Sequence, residues 1–219
     1  MRILFRHFWL PIYRCWALWH IRRERTYVCA GLRLRVPPGV FHPGIFFSTP
    51  IFISFLREVD FQQKKVLDVG TGSGALALFA ARMGAIATAL DINPVAVETA
   101  RRNAEANGLR LTVIESDVFG SLPFQPFDFV LVNPPYYPRS PRDLAERAFF
   151  AGENLEYFEA LFGRLPPYLN PQTRVWLILS EDCDFWGIKE IAARNGFSLR
   201  VVFEKKKWGE RFFVAQAGS

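Results

Sequence analysis

The segment Asp128-Phe129-Val130-Leu131-Val132-Asn133-Pro134-Pro135-Tyr136 ends in groups able to hold a flat amino group. Two successive prolines stop strand pairing and, having no N–H, leave the Pro134 carbonyl outward as an unspent acceptor. Asn133 adds a side-chain carbonyl and Tyr136 adds a ring face. Together they form a slot for a planar NH2, with two acceptors for its hydrogens and a surface to stack on. The lone pair of such a nitrogen is delocalised, so it attacks poorly. Acceptors placed off its plane favour a pyramidal nitrogen and turn the lone pair toward an electrophile. At about 3–3.5 Å from an electrophilic carbon, this chemistry needs orientation more than a strong base.

A second group of residues points to the ligand that would carry the electrophile. Val66-Leu67-Asp68-Val69-Gly70-Thr71-Gly72-Ser73-Gly74-Ala75 joins a strand to a helix through three alternate glycines. Glycine there permits a sharp turn and close approach of a ligand to the backbone. Asp91, in Leu90-Asp91-Ile92-Asn93, ends the next strand, where a carboxylate can accept both hydroxyls of a ribose. Ser116-Asp117-Val118 follows the third strand and suits an adenine amino group. Gly70, Gly72 and Ala75 also satisfy a dinucleotide fingerprint, with Asp91 about 20 residues on, so an NAD-dependent oxidoreductase is the competing reading. Asp68 argues against it. A negative charge beside the loop disfavours a pyrophosphate and favours a cation such as a sulfonium with its α-amino group.

These motifs need a scaffold that brings strand ends together. From Lys64 onward the pattern alternates strand and helix. Strands are expected at 64–69, 86–90, 111–115, 127–132, 174–179, 198–204 and 211–217. Helices are expected at 74–83, 94–107, 153–165 and 185–195. Asn107-Gly108 and Asn195-Gly196 supply left-handed stops. Near-continuous apolar strands imply a doubly wound, mostly parallel sheet covered on both faces, and the last two strands must form a hairpin. Upstream, 27–36 reads as one strand, and Thr49-Pro50 as an N-cap with proline at the first helical position of a helix reaching about Arg57. Asp184 lies in a loop and helix cap, and Lys205-Lys206-Lys207 in a solvated turn.

The chain has 219 residues, half of them apolar, with 22 Phe and 6 Trp, which excludes disorder and supports one sizeable core. Three cysteines without a CxxC pair exclude a disulfide framework, and three histidines without ligand spacing give no metal site. These features point to a soluble, cytoplasmic protein. Residues 1–44 hold eight arginines against one acid, Glu24, and form a basic, aromatic N-terminal arm; 45–219 form the main domain. The arm's Phe5, Phe8, Trp9, Ile12, Trp16 and Trp19 recur at helical spacing, but Arg6, Pro11 and Arg14 leave no run of the ~20 apolar residues a membrane span needs. It is expected to pack on the domain or to meet a polyanion or a lipid surface.

Over about residues 40–217 the chain resembles class I S-adenosylmethionine-dependent methyltransferases of the small-domain type. Asp-Val-Gly-Thr-Gly-Ser-Gly is similar to their cofactor loop, and Asn133-Pro134-Pro135-Tyr136 to the signature of enzymes that methylate planar nitrogens. The resemblance implies a seven-stranded Rossmann-like sheet with its last strand antiparallel. It implies S-adenosylmethionine as cofactor, held by Asp68, Gly70, Thr71, Gly72, Gly74, Asp91, Ile92, Asp117, Val118 and Asn133, with 133–136 catalytic. Gly152-Glu153-Asn154-Leu155-Glu156-Tyr157-Phe158 is similar to a segment of release-factor glutamine methyltransferases, although Asn154 replaces their usual second glycine. Phe46-Phe47-Ser48-Thr49 is closer to guanine N2 enzymes of ribosomal RNA. The acceptor expected first is therefore a protein glutamine, and second a nucleobase amine. A non-catalytic RNA-binding module of the same fold is the remaining alternative.

Overall fold

The computed structural model describes residues 23–218. The aromatic repeat at 5–19, with the arm's first four arginines, lies outside them. The chain enters as an antiparallel hairpin, β1 (Arg25–Cys29) and β2 (Leu32–Val36), followed by helix α1 (Ser48–Leu56). Alternation then runs β3 (Lys65–Val69), α2 (Ala75–Arg82), β4 (Ile86–Asp91), α3 (Pro94–Ala106), β5 (Thr112–Glu115) and β6 (Phe129–Val132). It continues with α4 (Glu156–Arg164), β7 (Arg174–Ser180), α5 (Phe185–Arg194), β8 (Ser198–Lys207) and β9 (Glu210–Gly218).

The seven-stranded sheet has the order β5-β4-β3-β6-β7-β9-β8, with β9 antiparallel to both its neighbours. Every other pairing is parallel. Because side chains alternate across a strand, each strand feeds two cores. Leu67, Val69, Val130, Val132, Leu177 and Leu179 meet α4 and α5 through Phe158, Leu161, Phe162, Ile188 and Ile191. Val66, Phe129, Leu131, Trp176 and Ile178 meet α1 and α2 through Ile51, Phe52, Leu76 and Phe79. Burial on both faces explains the unbroken apolar runs.

Several local expectations are corrected. Residues 27–36 form two strands, not one, because Ala30 (φ 50°) and Gly31 (φ 77°) turn the chain back in the left-handed region. Leu32, Leu34 and Val36 then share the core of α1 and α2. Thr49 does not cap α1. The helix begins two residues earlier than expected, at Ser48 after Phe47, which has no side-chain cap bond. The helix expected from Glu153 begins only at Glu156, because Gly152 (φ 94°) and Leu155 (φ 61°) are left-handed. The three lysines lie within β8, and Trp208-Gly209 makes the turn. Lys205 Nζ lies 3.4 Å from Ser54 Oγ, and Lys207 sits over the Phe47 ring at 4.8 Å. Asp184 does cap α5, accepting from the Gly187 N–H at 3.0 Å.

The hairpin is clamped by two asparagines one turn apart on α3. Asn103 Oδ1 accepts from the Arg35 N–H at 2.8 Å while its Nδ2 donates to the Arg35 carbonyl at 2.9 Å. Asn107 makes the same pair of bonds with Arg33, both at 2.9 Å. Each amide thus substitutes for a neighbouring strand along β2. This clamp fixes the following segment, Gly39–Pro43, over the carboxyl ends of the central strands, where open α/β sheets bind ligands.

Candidate active site

A cavity of about 410 Å³ opens at the point where strand order reverses, between β3 and β6. Gly70, Thr71, Gly72, Asp91, Ile92, Asp117, Val118, Asn133 and Pro135 all line it. Four of the expected residues do not. Asp68 lies 1% exposed beneath the loop, where one carboxylate oxygen accepts from Thr71 Oγ1 at 2.6 Å and from the Ala77 N–H at 3.1 Å. It holds the loop to the first turn of α2. Gly74 is a packing glycine, since a Cβ there would meet Ala100 Cβ at 3.2 Å. Pro134 is buried behind the cavity wall. Tyr136 turns away too. Burial raises its pKa well above the usual phenol value, against a smaller lowering by Ser180 at the end of β7, and its ring packs on Tyr137 at 4.9 Å. The flat faces on the cavity belong instead to Phe41, Phe150 and Tyr157.

Hydrogen-bond accounting of the loop decides between ligand classes. The N–H groups of Gly70 and Thr71 donate to the Leu90 carbonyl at 2.9 and 2.8 Å. Gly72 N–H donates to Asp91 Oδ2 at 2.8 Å, and Gly74 N–H to the Thr71 carbonyl at 3.0 Å. These four donors are spent within the protein, so the loop is no anion cradle of the kind a pyrophosphate requires. What the site offers is acceptors. Asp91 Oδ1 accepts the Asn93 N–H at 2.9 Å, and a carboxylate oxygen has capacity for more than one donor. Burial raises the Asp91 pKa, while the Asn93, Gly72 and Ile92 N–H groups pull it back. Asp68 is pushed up to about 7, chiefly by burial and against the bonds from Thr71 and Ala77. Its Oδ1 is buried with no partner among the described residues. A ligand bearing positive charge relieves this stress; a pyrophosphate worsens it. The NAD-dependent reading fails here.

The residues after Asn133 complete the cavity from a distance in sequence. The loop between β6 and α4 contributes Ser140, Pro141, Leu144, Arg147 and Phe150 to its wall. Arg147 stands 3.9 Å from Asp117 across the rim, and Arg139 covers the Phe150 ring at 4.8 Å. Val118 is held at φ 52°, a strained conformation for a β-branched residue, at the floor. Tyr157 was missed by sequence reasoning as a cavity residue. Its hydroxyl is buried without a hydrogen-bond partner among the described residues, and burial, with Asp91 and Asp68 nearby, raises its pKa strongly. The left-handed Leu155, two residues before it at the helix cap, is what aims α4 this way, and nothing in the local pattern announces that residue. Among the described residues no group of three His, Cys, Asp or Glu is placed to hold a metal ion. Cys183 is pushed up to about 12, mainly by burial, which removes it as a nucleophile.

The profile of the methyltransferase small domain family matches residues 31–155, from the hairpin through the lid-like loop. The chain belongs to this family. A putative protein N5-glutamine methyltransferase from Methanocaldococcus jannaschii is 32% identical over 196 residues, covering 85% of this chain and 95% of its own. The release factor glutamine methyltransferase of Geobacter sulfurreducens is 35% identical over 153 residues, and the chain spans only 53% of its length. A Thermus thermophilus 16S rRNA N2 methyltransferase, solved in complex with AdoMet and guanosine, superposes with a TM-score of 0.65. That match covers 89% of this chain and 50% of the other at 23% identity, a likeness of fold. The protein is thus an S-adenosylmethionine-dependent N-methyltransferase with the class I fold. No helix of the described residues is long and apolar enough to cross a membrane.

Proposed function

We propose that this methyltransferase modifies the side-chain amide nitrogen of a glutamine in a protein of the translation machinery. The observation that carries this is the position of Asn133: it lines the same cavity as Gly70, Gly72 and Asp91, so acceptor and cofactor groups meet in one space. S-adenosylmethionine supplies a methyl group on a positively charged sulfur. Asp91 would hold the ribose hydroxyls, Asp117 the adenine, and the unpaired Asp68 Oδ1 would balance positive charge through the loop. Gly70 has nothing within 4 Å of where a Cβ would stand, so the ligand can approach its backbone. Asn133 Oδ1 would accept an N–H of the acceptor amide and bend it out of plane.

The glutamine assignment draws on the archaeal relative, which matches along nearly its whole length. A nucleobase amine is the second reading, favoured by one feature: Phe41 and Phe150 put aromatic faces on the cavity wall, where a base would stack. Incubation with radiolabelled cofactor, followed by separation of release factors, ribosomal RNA and DNA, distinguishes them. Label in a glutamine-containing peptide of a release factor supports the first reading; label only in RNA replaces it with the second. In the same assay Asn133→Ala should lower kcat about 100-fold while leaving affinity for S-adenosylhomocysteine within a few-fold. Equal loss of both would make Asn133 part of the cofactor site alone.

A further inference from the structure

We infer that Thr49 is a positioning residue for the reaction, fixing which end of the Asn133 amide faces the acceptor; this rests on the role proposed for Asn133. An asparagine amide is nearly symmetric in shape and opposite in chemistry at its two ends. Only Oδ1 can accept from a planar NH2. With Nδ2 turned inward, donor faces donor and the acceptor is repelled. Neither Pro134 nor Pro135 has an N–H to bind Oδ1 and so constrain the amide. Orientation must come from elsewhere in the fold.

It comes from α1. Asn133 Nδ2 donates to Thr49 Oγ1 at 3.2 Å, across 84 residues of sequence. Thr49 is 3% exposed, and the hydroxyl sits on the first turn of a helix whose Ile51, Phe52 and Leu56 are anchored in the core. A buried partner on a rigid element holds the amide in place, and with the Thr49 hydroxyl accepting from Nδ2 the Oδ1 end is the one left over. Both residues line the cavity, and Asn133 Oδ1 has no hydrogen-bond partner among the described residues, which leaves it for the acceptor. The early start of α1 matters here. As a cap, Thr49 would have spent its oxygen on the helix backbone; two positions past the cap, the oxygen is available to Asn133.

Thr49→Val preserves volume and removes the hydroxyl, whereas Thr49→Ser keeps it. The expected result is a roughly tenfold lower kcat for Thr49→Val, with affinity for S-adenosylhomocysteine within twofold and an unchanged thermal midpoint. Thr49→Ser should return kcat to within about threefold of the parent. A Thr49→Val enzyme as fast as the parent overturns the inference, and so does a serine variant as slow as the valine one. A second readout is independent of any acceptor. The Asn133 side-chain NH2 pair, identified in nitrogen-15 spectra by its loss in Asn133→Asp, should shift and exchange faster in Thr49→Val. An unmoved pair refutes the hydrogen bond even if no acceptor is labelled, which would count separately against the glutamine reading.

Discussion

The buried carboxylate of Asp68 makes a quantitative prediction for Asp68→Asn. In the folded protein its pKa is raised from 3.8 to about 7 by burial. A raised acid binds a proton in the native state that the unfolded state has released. Stability should therefore increase as pH falls through 7, and the gain is complete only below the unfolded value. At about 1.4 kcal/mol per unit, the full shift corresponds to at most about 4 kcal/mol. Between pH 8 and pH 5 linkage gives roughly 2–3 kcal/mol of that. Asparagine cannot titrate, so its variant should lack this component. Its carboxamide oxygen can still accept from Thr71 Oγ1 and the Ala77 N–H, while its NH2 takes the position of the unpaired Oδ1. Glu210 is also pushed up to about 7, mainly by burial, and adds the same slope to both proteins. The difference between parent and variant isolates Asp68. Urea unfolding at pH 5, 6, 7 and 8 without cofactor measures it. Parallel pH dependences for the two proteins would refute the buried, proton-binding carboxylate.

Asp91→Ala removes the acceptor of the Gly72 and Asn93 N–H groups as well as the proposed ribose contact, so calorimetry with S-adenosylhomocysteine should show at least tenfold weaker binding; unchanged binding would sink the ribose assignment. Asn103→Ala breaks three bonds of a residue 1% exposed, to Arg35 twice and to the Ser73 carbonyl, and chemical denaturation should show a loss of about 2–3 kcal/mol. Gly74→Ala sets a Cβ 3.2 Å from Ala100 Cβ and Leu78 Cδ1 at φ 85°, so the thermal midpoint should fall by several degrees, corresponding to ~1–3 kcal/mol. A neutral outcome would mean α2 and α3 can part there at little cost.

Legibility in the sequence followed the range of the interactions concerned. The strand and helix alternation from Lys65 to Gly218, the left-handed stops at Gly108 and Gly196, and the Asp184 cap are set by neighbours within a few residues, and the expected elements match to within a few positions. The Gly70–Gly72 turn and the Asn133-Pro134-Pro135 corner were readable for the same reason. Glycine, proline and a strand-ending carboxylate carry their geometry with them. Membership of a nitrogen-methylating family could therefore be expected from the chain itself.

Tertiary structure decided what each of those groups faces. Asp68 and Gly74 sit within a local motif, yet packing assigns one to hold the loop and the other to seat α2 against α3. Tyr136 belongs to the signature, but its ring packs against the core and Tyr137 and does not line the cavity. Thr49 and Tyr157 reach the site only because α1 and α4 are packed on opposite faces of the sheet. The hairpin reaches it through amide bonds to Asn103 and Asn107, about seventy residues away in sequence. Periodicity and propensity report a residue's own backbone. Side-chain partners across such separations are fixed only when both sheet faces are covered and each buried polar group must find a partner or leave a space for a ligand.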